Sequence, residues 1–170
     1  MPEKRTLQRA KQDKREGKAP STQAGEFVRE EMDHIREGKH GARSTKQAIA
    51  IGLSKARRAG VKLAPPKEGT ASEKTTRSAR SAYRKGQHGA TKVSAKRSRA
   101  TRKALKREGH SAASPSALAQ QARSSARRRG PAARSAAAKK AVRTKGSAAR
   151  SAAAKKAART RARKRTKTRR

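Results

Sequence analysis

The last 60 residues of the chain, 111–170, contain 20 Lys and Arg and no Asp or Glu. Like charges spaced along a helix repel one another when no acidic side chain compensates them. The same stretch holds only two apolar residues larger than alanine, Leu118 and Val142. High charge with few large apolar residues is typical of segments that stay disordered or fold on a partner. We therefore expect this part of the chain to lack a core of its own.

The rest of the sequence allows only a small core. The formal net charge is +39, and the apolar residues comprise 36 Ala and only 16 larger side chains. Burying one large side chain stabilises a fold by roughly 1.5–3 kcal/mol, whereas ordering one residue costs roughly 1–2 kcal/mol in backbone entropy. One compact core across all 170 residues is therefore excluded. Eleven of the 16 large apolar residues precede residue 65, so we expect a folded unit near the N-terminus.

Regularly spaced glycines divide the chain into segments rich in the helix formers Ala, Lys, Arg, Glu and Gln. We expect glycines 17, 38, 60, 86, 109, 130 and 146 to end helices in the left-handed conformation. The pattern predicts a mainly α fold. Its helices should lie near 6–16, 22–37, 45–59, 71–85, 95–108, 115–129, 132–145 and 148–163. Helices after residue 70 lack an apolar stripe, so we expect them to be largely disordered or only partly helical without a partner.

Residues 21–64 have the pattern of a short helical hairpin. The apolar residues of 22–37 fall within an arc of about 140°, and those of 45–59 share one face of their helix. The short loop between the two segments favours antiparallel neighbours. The capping box Ser44-x-x-Gln47 predicts the start of the second helix, as Thr70-x-x-Glu73 predicts the start of a later one. We expect the hairpin to pack through Phe27, Val28, Met32, Ile35, Ile49 and Leu53.

The composition suggests five segments. A basic N-terminal segment (1–20) precedes the hairpin unit (21–64), and a Pro/Gly linker follows it (65–70). A basic helical region (71–110) leads to a low-complexity tail rich in Ala, Lys and Arg (111–170). The tail contains a repeat, since GPAARSAAAKKAVRTK (130–145) and GSAARSAAAKKAARTR (146–161) match at 13 of 16 positions.

We expect a protein with this much positive charge to bind a polyanion. The Lys and Arg residues of the tail are the candidates for contacting its phosphates. Phosphate contacts are driven by counterion release and carry no sequence information. The scarcity of aromatic residues argues against stacking-based readers of single strands or RNA. The predicted DNA phosphate-binding residues are Arg127, Arg128, Arg129, Arg134, Lys139, Lys140, Arg143, Arg150, Lys155, Lys156, Arg159, Arg161, Arg163, Lys164 and Arg165.

No pattern points to catalysis, a metal or a cofactor. The chain has no Cys, and its four His residues lie outside HxxxH and HExxH spacing. We expect His40 and His88, both in an HGA context, to serve a loop or backbone role. The acidic residues of 22–37 suggest an exposed acidic face, and we expect Glu26, Glu30 and Asp33 to pair with the basic tail. We predict no enzymatic activity, no cofactor and no metal site.

Two stretches resemble known proteins. The motif KQAIAIGLSKARRAG (46–60) resembles the marker motif of an uncharacterised family of small basic bacterial proteins. That resemblance implies no established activity, only an association with DNA binding. The tail (130–170) resembles in composition the Ala/Lys-rich arms of bacterial histone-like proteins and of linker histones. It uses Arg freely, and it lacks the proline spacing of linker-histone arms.

Together these features predict a histone-like, sequence-nonspecific DNA-binding protein that neutralises and compacts or bridges DNA. The alternative is an RNA- or ribosome-associated basic protein. A third class is an adaptor that self-associates or binds a protein partner through 21–63. The longest apolar run, 48–53, is too short to span a membrane, and no secretion signal is visible at the N-terminus. We expect a cytoplasmic, nucleoid-associated location.

Overall fold

The computed structural model describes residues 2–89 and 94–168, and within these it leaves out the side chains of 144, 145 and 164–168. The described chain is mainly α and contains no strand. Its helices are α1 (Lys4–Arg15), α2 (Pro20–Arg36), α3 (Thr45–Arg58), α4 (Glu73–Gln87), α5 (Ala95–Lys106) and α6 (Pro115–Thr168), with a 3-10 turn at Ser111–Ala113. None of the described helices is long and apolar enough to cross a lipid bilayer.

The chain divides into two units, Met1–Gln121 (unit 1) and Ala122–Arg170 (unit 2). In unit 1 the α2–α3 hairpin is central, with α1 packed on α2 and α4 packed on α3. This division differs from the five segments that composition suggests. The basic segment 1–20 and the region 71–110 lie in the same unit as the hairpin.

The hairpin residues lie in two clusters along α2. Phe27 packs in one cluster with Ala24, Ala56 and Val61, and Leu53 lies against it. The other cluster contains Met32 and Ile35, with half-buried Val28 and Ile49 packed against them. Phe27, Met32 and Ile35 are buried. The two clusters bind both ends of α2 to its neighbours.

Alanine forms most of this core. Of the 13 buried apolar residues among those described, nine are Ala. Small side chains let helices approach closely, as at Gly52, where an added Cβ would lie 2.7 Å from the Cα of Val28. The ordered part of the chain is therefore larger than a count of large apolar residues indicates.

Residues 111–121 close the core of unit 1 and are not part of a separate tail. Ala112 and Ala113 are buried, and Leu118 packs against the same cluster as Met32. The hydroxyl of Thr45 donates to the Ala112 carbonyl at 2.7 Å, and Arg36 Nε donates to the Ala113 carbonyl at 3.0 Å. The basic arm therefore begins after residue 121.

The expectation that the later helices are largely disordered or only partly helical is wrong, since α4, α5 and α6 are formed. Three serines cap them: Ser72 accepts from the Thr75 N–H, Ser94 from the Arg97 N–H and Ser114 from the Ala117 N–H. Such caps satisfy backbone donors that a helix start otherwise leaves unpaired. Alanine, the residue with the highest helix propensity, supports the rest of α6.

The helix ends mostly follow the glycine pattern, with specific differences. Glycines 17, 38, 60, 130 and 146 have positive φ as expected, but glycines 86 and 109 do not. Gly86 lies inside α4, where an added Cβ would be 1.8 Å from the Arg57 carbonyl oxygen. The capping box at Thr70-x-x-Glu73 is wrong, because Ser72 is the cap and α4 begins at Glu73. The Ser44 cap of α3 is present.

Candidate nucleic-acid interface

Unit 2 is a helical, purely cationic surface. Residues 122–168 contain 18 Lys and Arg and no acidic residue. At a helical rise of 1.5 Å per residue, this is one cation per about 4 Å of helix axis. Phosphates follow one another at about 3.4 Å along one strand of duplex DNA. The linear charge density of unit 2 therefore approaches that of a nucleic-acid strand.

The sequence repeat is also a structural repeat. Gly130 and Gly146 break α6 with the same backbone conformation, a positive φ of 73° and 67° with an extended ψ of 168° and 171°. After each break an arginine folds back on the glycine. Arg134 Nε donates to the Gly130 carbonyl at 3.3 Å, and Arg150 Nε donates to the Gly146 carbonyl at 3.2 Å. Each break therefore starts a new basic helix in the same way.

All of the predicted phosphate-binding residues lie in unit 2. Within each repeat, two lysines and an arginine fall within about 100° of arc on the helix surface. The exposed residues among them are Arg127, Arg128, Arg129, Arg134, Lys139, Lys140, Arg143, Arg150, Lys155, Lys156, Arg159, Arg161 and Arg163. The side chains of Lys164 and Arg165 lie outside the described part.

Some of the cations of unit 1 have carboxylate partners. Ten of the protein's eleven acidic side chains form ion pairs within unit 1. Hydrogen bonds to Asp13 and then Glu16 raise the pKa of Lys18, and Glu37 does the same for Lys39. These pairs engage the acidic residues of unit 1, but unit 1 still has 30 Lys and Arg against 11 Asp and Glu, whereas unit 2 has 20 Lys and Arg and no acidic residue at all.

The acidic residues of α2 do not form the exposed face that the sequence suggests. Glu26 pairs with Arg9 of α1 at 3.5 Å, and Asp33 pairs with Arg36 at 3.4 Å. Glu30 is buried and lies 3.4 Å from Lys55 Nζ of α3. The helical projection could not show this for Glu26 and Glu30, because their partners lie on α1 and α3, whereas Asp33 stays 47% exposed.

A second basic surface, on α5, was missed in the sequence reasoning. The helix AKRSRATRKALK has no buried residue and no acidic residue. The loop after α2 anchors its C-terminal end, because the Gly41 N–H donates to the Leu105 carbonyl and the Ala42 N–H to the Gly109 carbonyl. The sequence signal for this surface is the run of Lys and Arg in α5, which contains no Asp or Glu. Its exposed cations are Lys96, Arg97, Arg99, Arg102, Lys103 and Lys106.

The arginines of α4 line a cleft of about 630 Å³ beside the 65–69 segment. Arg80 pairs with Glu68 at 2.7 Å, and Arg77 pairs with Glu73. Tyr83 lies on the same wall. Because carboxylates balance two of its arginines, this cleft is a weaker attractor of phosphate than α5 or unit 2.

Comparison with known proteins gives one match. A family model described only as a family of unknown function, DUF6496, matches residues 11–68. The matched stretch covers the second half of α1, the α2–α3 hairpin and the segment after it, and it contains neither α5 nor unit 2. No curated protein matches this chain, and no solved structure does.

Proposed function

We propose that this protein is a non-enzymatic, histone-like protein that binds DNA without sequence preference through unit 2. The observation that carries the proposal is the run of 18 cations in residues 122–168 with no acidic residue among them. Neutralising this run by phosphate contacts releases counterions from the nucleic acid, which drives binding.

The side-chain inventory of unit 2 supports binding without base readout. Residues 122–170 contain no Asn or Gln, the amides that pair bidentately with adenine. They also contain no aromatic residue for stacking on bases. Lys and Arg on exposed helix faces contact phosphates, which fix position without specifying sequence.

Unit 1 has a different role in this proposal. Its acidic residues are engaged with its own cations, but residues 1–121 hold 30 Lys and Arg against 11 Asp and Glu and so keep a net charge of +19, with α5 as an acid-free basic helix. We propose that α5 adds phosphate contacts, and that unit 1 brings the arms of different molecules together. Bound copies would then bridge and compact DNA. A cytoplasmic, nucleoid-associated location belongs to the same proposal, as does a relationship to small basic bacterial proteins.

The test compares full-length protein with residues 1–121, titrated on duplex DNA and on a structured RNA at several salt concentrations. The full chain should bind both DNA and RNA with a steep salt dependence and bind duplexes of different sequence equally. Residues 1–121 should lose most of the affinity and most of the slope. Affinity retained by 1–121, or a preference of 100-fold for the RNA, would contradict the proposal. The second outcome would favour an RNA-associated protein.

A further inference from the structure

A buried cluster on α2 has the composition of a metal site. Glu31 and His34 lie three residues apart on α2, and His40 follows from the turn after the helix. A carboxylate oxygen of Glu31 and a nitrogen of each imidazole all lie within 4.8 Å of one another. The Glu31 side chain is fully buried, whereas His34 and His40 are 14% and 16% exposed. The imidazoles therefore lie between the carboxylate and solvent.

Glu31 lacks the hydrogen bonds that a buried carboxylate requires. Both of its oxygens are buried, and neither accepts a hydrogen bond of ordinary geometry. The ammonium of Lys55 lies 2.6 Å from Oε2, but the same ammonium also lies 3.4 Å from the buried Glu30. Two buried carboxylates thus share one lysine. A buried charge without a partner destabilises the fold. A second positive charge near Oε1 of Glu31 would therefore stabilise this carboxylate.

The hydrogen bonds of the two imidazoles leave one nitrogen of each available. His40 Nδ1 lies 3.1 Å from the Gly41 carbonyl, which can only accept, so Nδ1 carries the hydrogen. The other ring nitrogen, Nε2, lies 3.4 Å from Glu31 Oε1. His34 Nε2 lies 2.8 Å from Glu3 Oε1. In the tautomer in which His34 Nε2–H donates to this carboxylate, Nδ1 is the ring nitrogen that can bind a metal.

We propose that Glu31, His34 and His40 bind a divalent first-row transition metal ion, with Zn²⁺ as the best match. Two imidazoles and one carboxylate, with a fourth position left for water, form a zinc ligand set. Metal-binding histidines usually donate their other N–H to a carboxylate or a backbone carbonyl, as His34 does to Glu3 and His40 to Gly41. Four-coordinate binding at about 2.0–2.1 Å places ligand atoms about 3.3 Å apart. The distance from His40 Nε2 to Glu31 Oε1, 3.4 Å, already meets this spacing, and all three ligand atoms lie within 4.8 Å of one another.

The location gives the ion a structural consequence. His40 precedes Gly41 and Ala42, whose N–H groups hold the end of α5. A metal joining His40 to α2 therefore fixes the segment that anchors the basic helix of unit 1. The whole ligand set lies within the stretch matched by the family model.

The experiment uses untagged, chelator-treated full-length protein, with Co²⁺ followed by its visible d–d absorption and Zn²⁺ by competition with a chromophoric chelator. Wild-type protein should bind one ion per chain and unfold at a higher temperature with Zn²⁺. Glu31→Gln and His40→Gln should each weaken binding at least 100-fold. The matched controls, His88→Gln and His110→Gln, change histidines outside the cluster and should bind as wild type does.

The His40→Gln variant, at a partly exposed position, keeps the test valid if Glu31→Gln does not fold, which circular dichroism will show. Absence of stoichiometric binding by wild-type protein would overturn the proposal. Equal losses in all histidine variants would also overturn it, because they would indicate diffuse surface binding. The experiment measures metal affinity in the absence of nucleic acid. Failure of the metal-binding proposal would therefore leave the DNA-binding proposal unaffected.

Discussion

Replacing Lys155, Lys156 and Arg159 by Gln tests how unit 2 contacts nucleic acid. These exposed residues fall within about 100° of arc and span about 6 Å of the helix axis. Duplex DNA carries one phosphate per ~1.7 Å of its axis, so three or four phosphates occupy the same length. Each cation therefore has a phosphate of its own within reach.

The expected loss follows from counterion release. Each neutralised phosphate contributes about 0.9 to the slope of log affinity against log salt. Losing three contacts should reduce the slope by about 2.7 and weaken binding by up to about 500-fold at 0.1 M salt. The measurement is fluorescence anisotropy of a labelled duplex, titrated from about 50 to about 200 mM salt.

A charge-matched control separates contact from net charge. Lys18, Lys39 and Arg77 each pair with carboxylates of unit 1. Replacing these three by Gln removes the same formal charge but no phosphate contact. The slope of log affinity against log salt should therefore change by less than about 0.9, the contribution of one phosphate contact. Equal slope changes in the two triple variants would refute the reasoning, as would an unchanged slope in the unit 2 variant. Circular dichroism of both variants verifies that unit 1 remains folded.

Three further predictions concern stability. Truncation after residue 121 should leave the unfolding midpoint of unit 1 unchanged, whereas truncation after residue 110 removes buried Ala112 and Ala113 with two hydrogen bonds and should cost about 3–5 kcal/mol. Equal urea midpoints for the two truncations would contradict the assignment of 111–121 to the core. Gly52→Ala should destabilise unit 1 by about 1–3 kcal/mol in urea unfolding, because the new Cβ meets Val28. In the control variant, Gly25→Ala, the added Cβ meets nothing within 4 Å and should stabilise α2 by about 0.5–1 kcal/mol. Similar losses of unfolding free energy in both variants would be inconsistent with close helix packing at Gly52. Hydrogen bonds from Lys18 and then Gln12 lower the pKa of Glu16 below 4.5. The stabilising contribution of Glu16 should therefore be present above its unfolded pKa and lost as pH falls through the lower, folded value. An NMR titration that places Glu16 at or above 4.5, or no upward shift in a Lys18→Gln variant, would disprove this assignment.

The helices and the charge gradient could be read largely from local signals. Serine caps and glycines act within one turn of their own position, so the Ser114-Pro115 start of α6 and its breaks at Gly130 and Gly146 are recoverable from the sequence. The contacts of Glu30 could not be predicted this way. Its burial depends on Lys55 and on the backbone of Glu3, residues 25 and 27 positions away, and no helical projection of α2 alone includes them.

The sequence by itself determined the charge of the arm, because residues 122–168 contain no acidic residue and only one apolar side chain larger than alanine, Val142, and so have little to bury. That its segments are helical and that it begins after residue 121 was decided by the structure. The sequence also determined the hairpin, whose apolar stripes are periodic. Only the tertiary structure decided the extent of unit 1 and the position of its carboxylates. Alanine and glycine leave little trace in a count of hydrophobic residues, yet they allow close contacts between helices. Thr45 and Ala112, 67 residues apart, illustrate how such contacts join distant segments in one core.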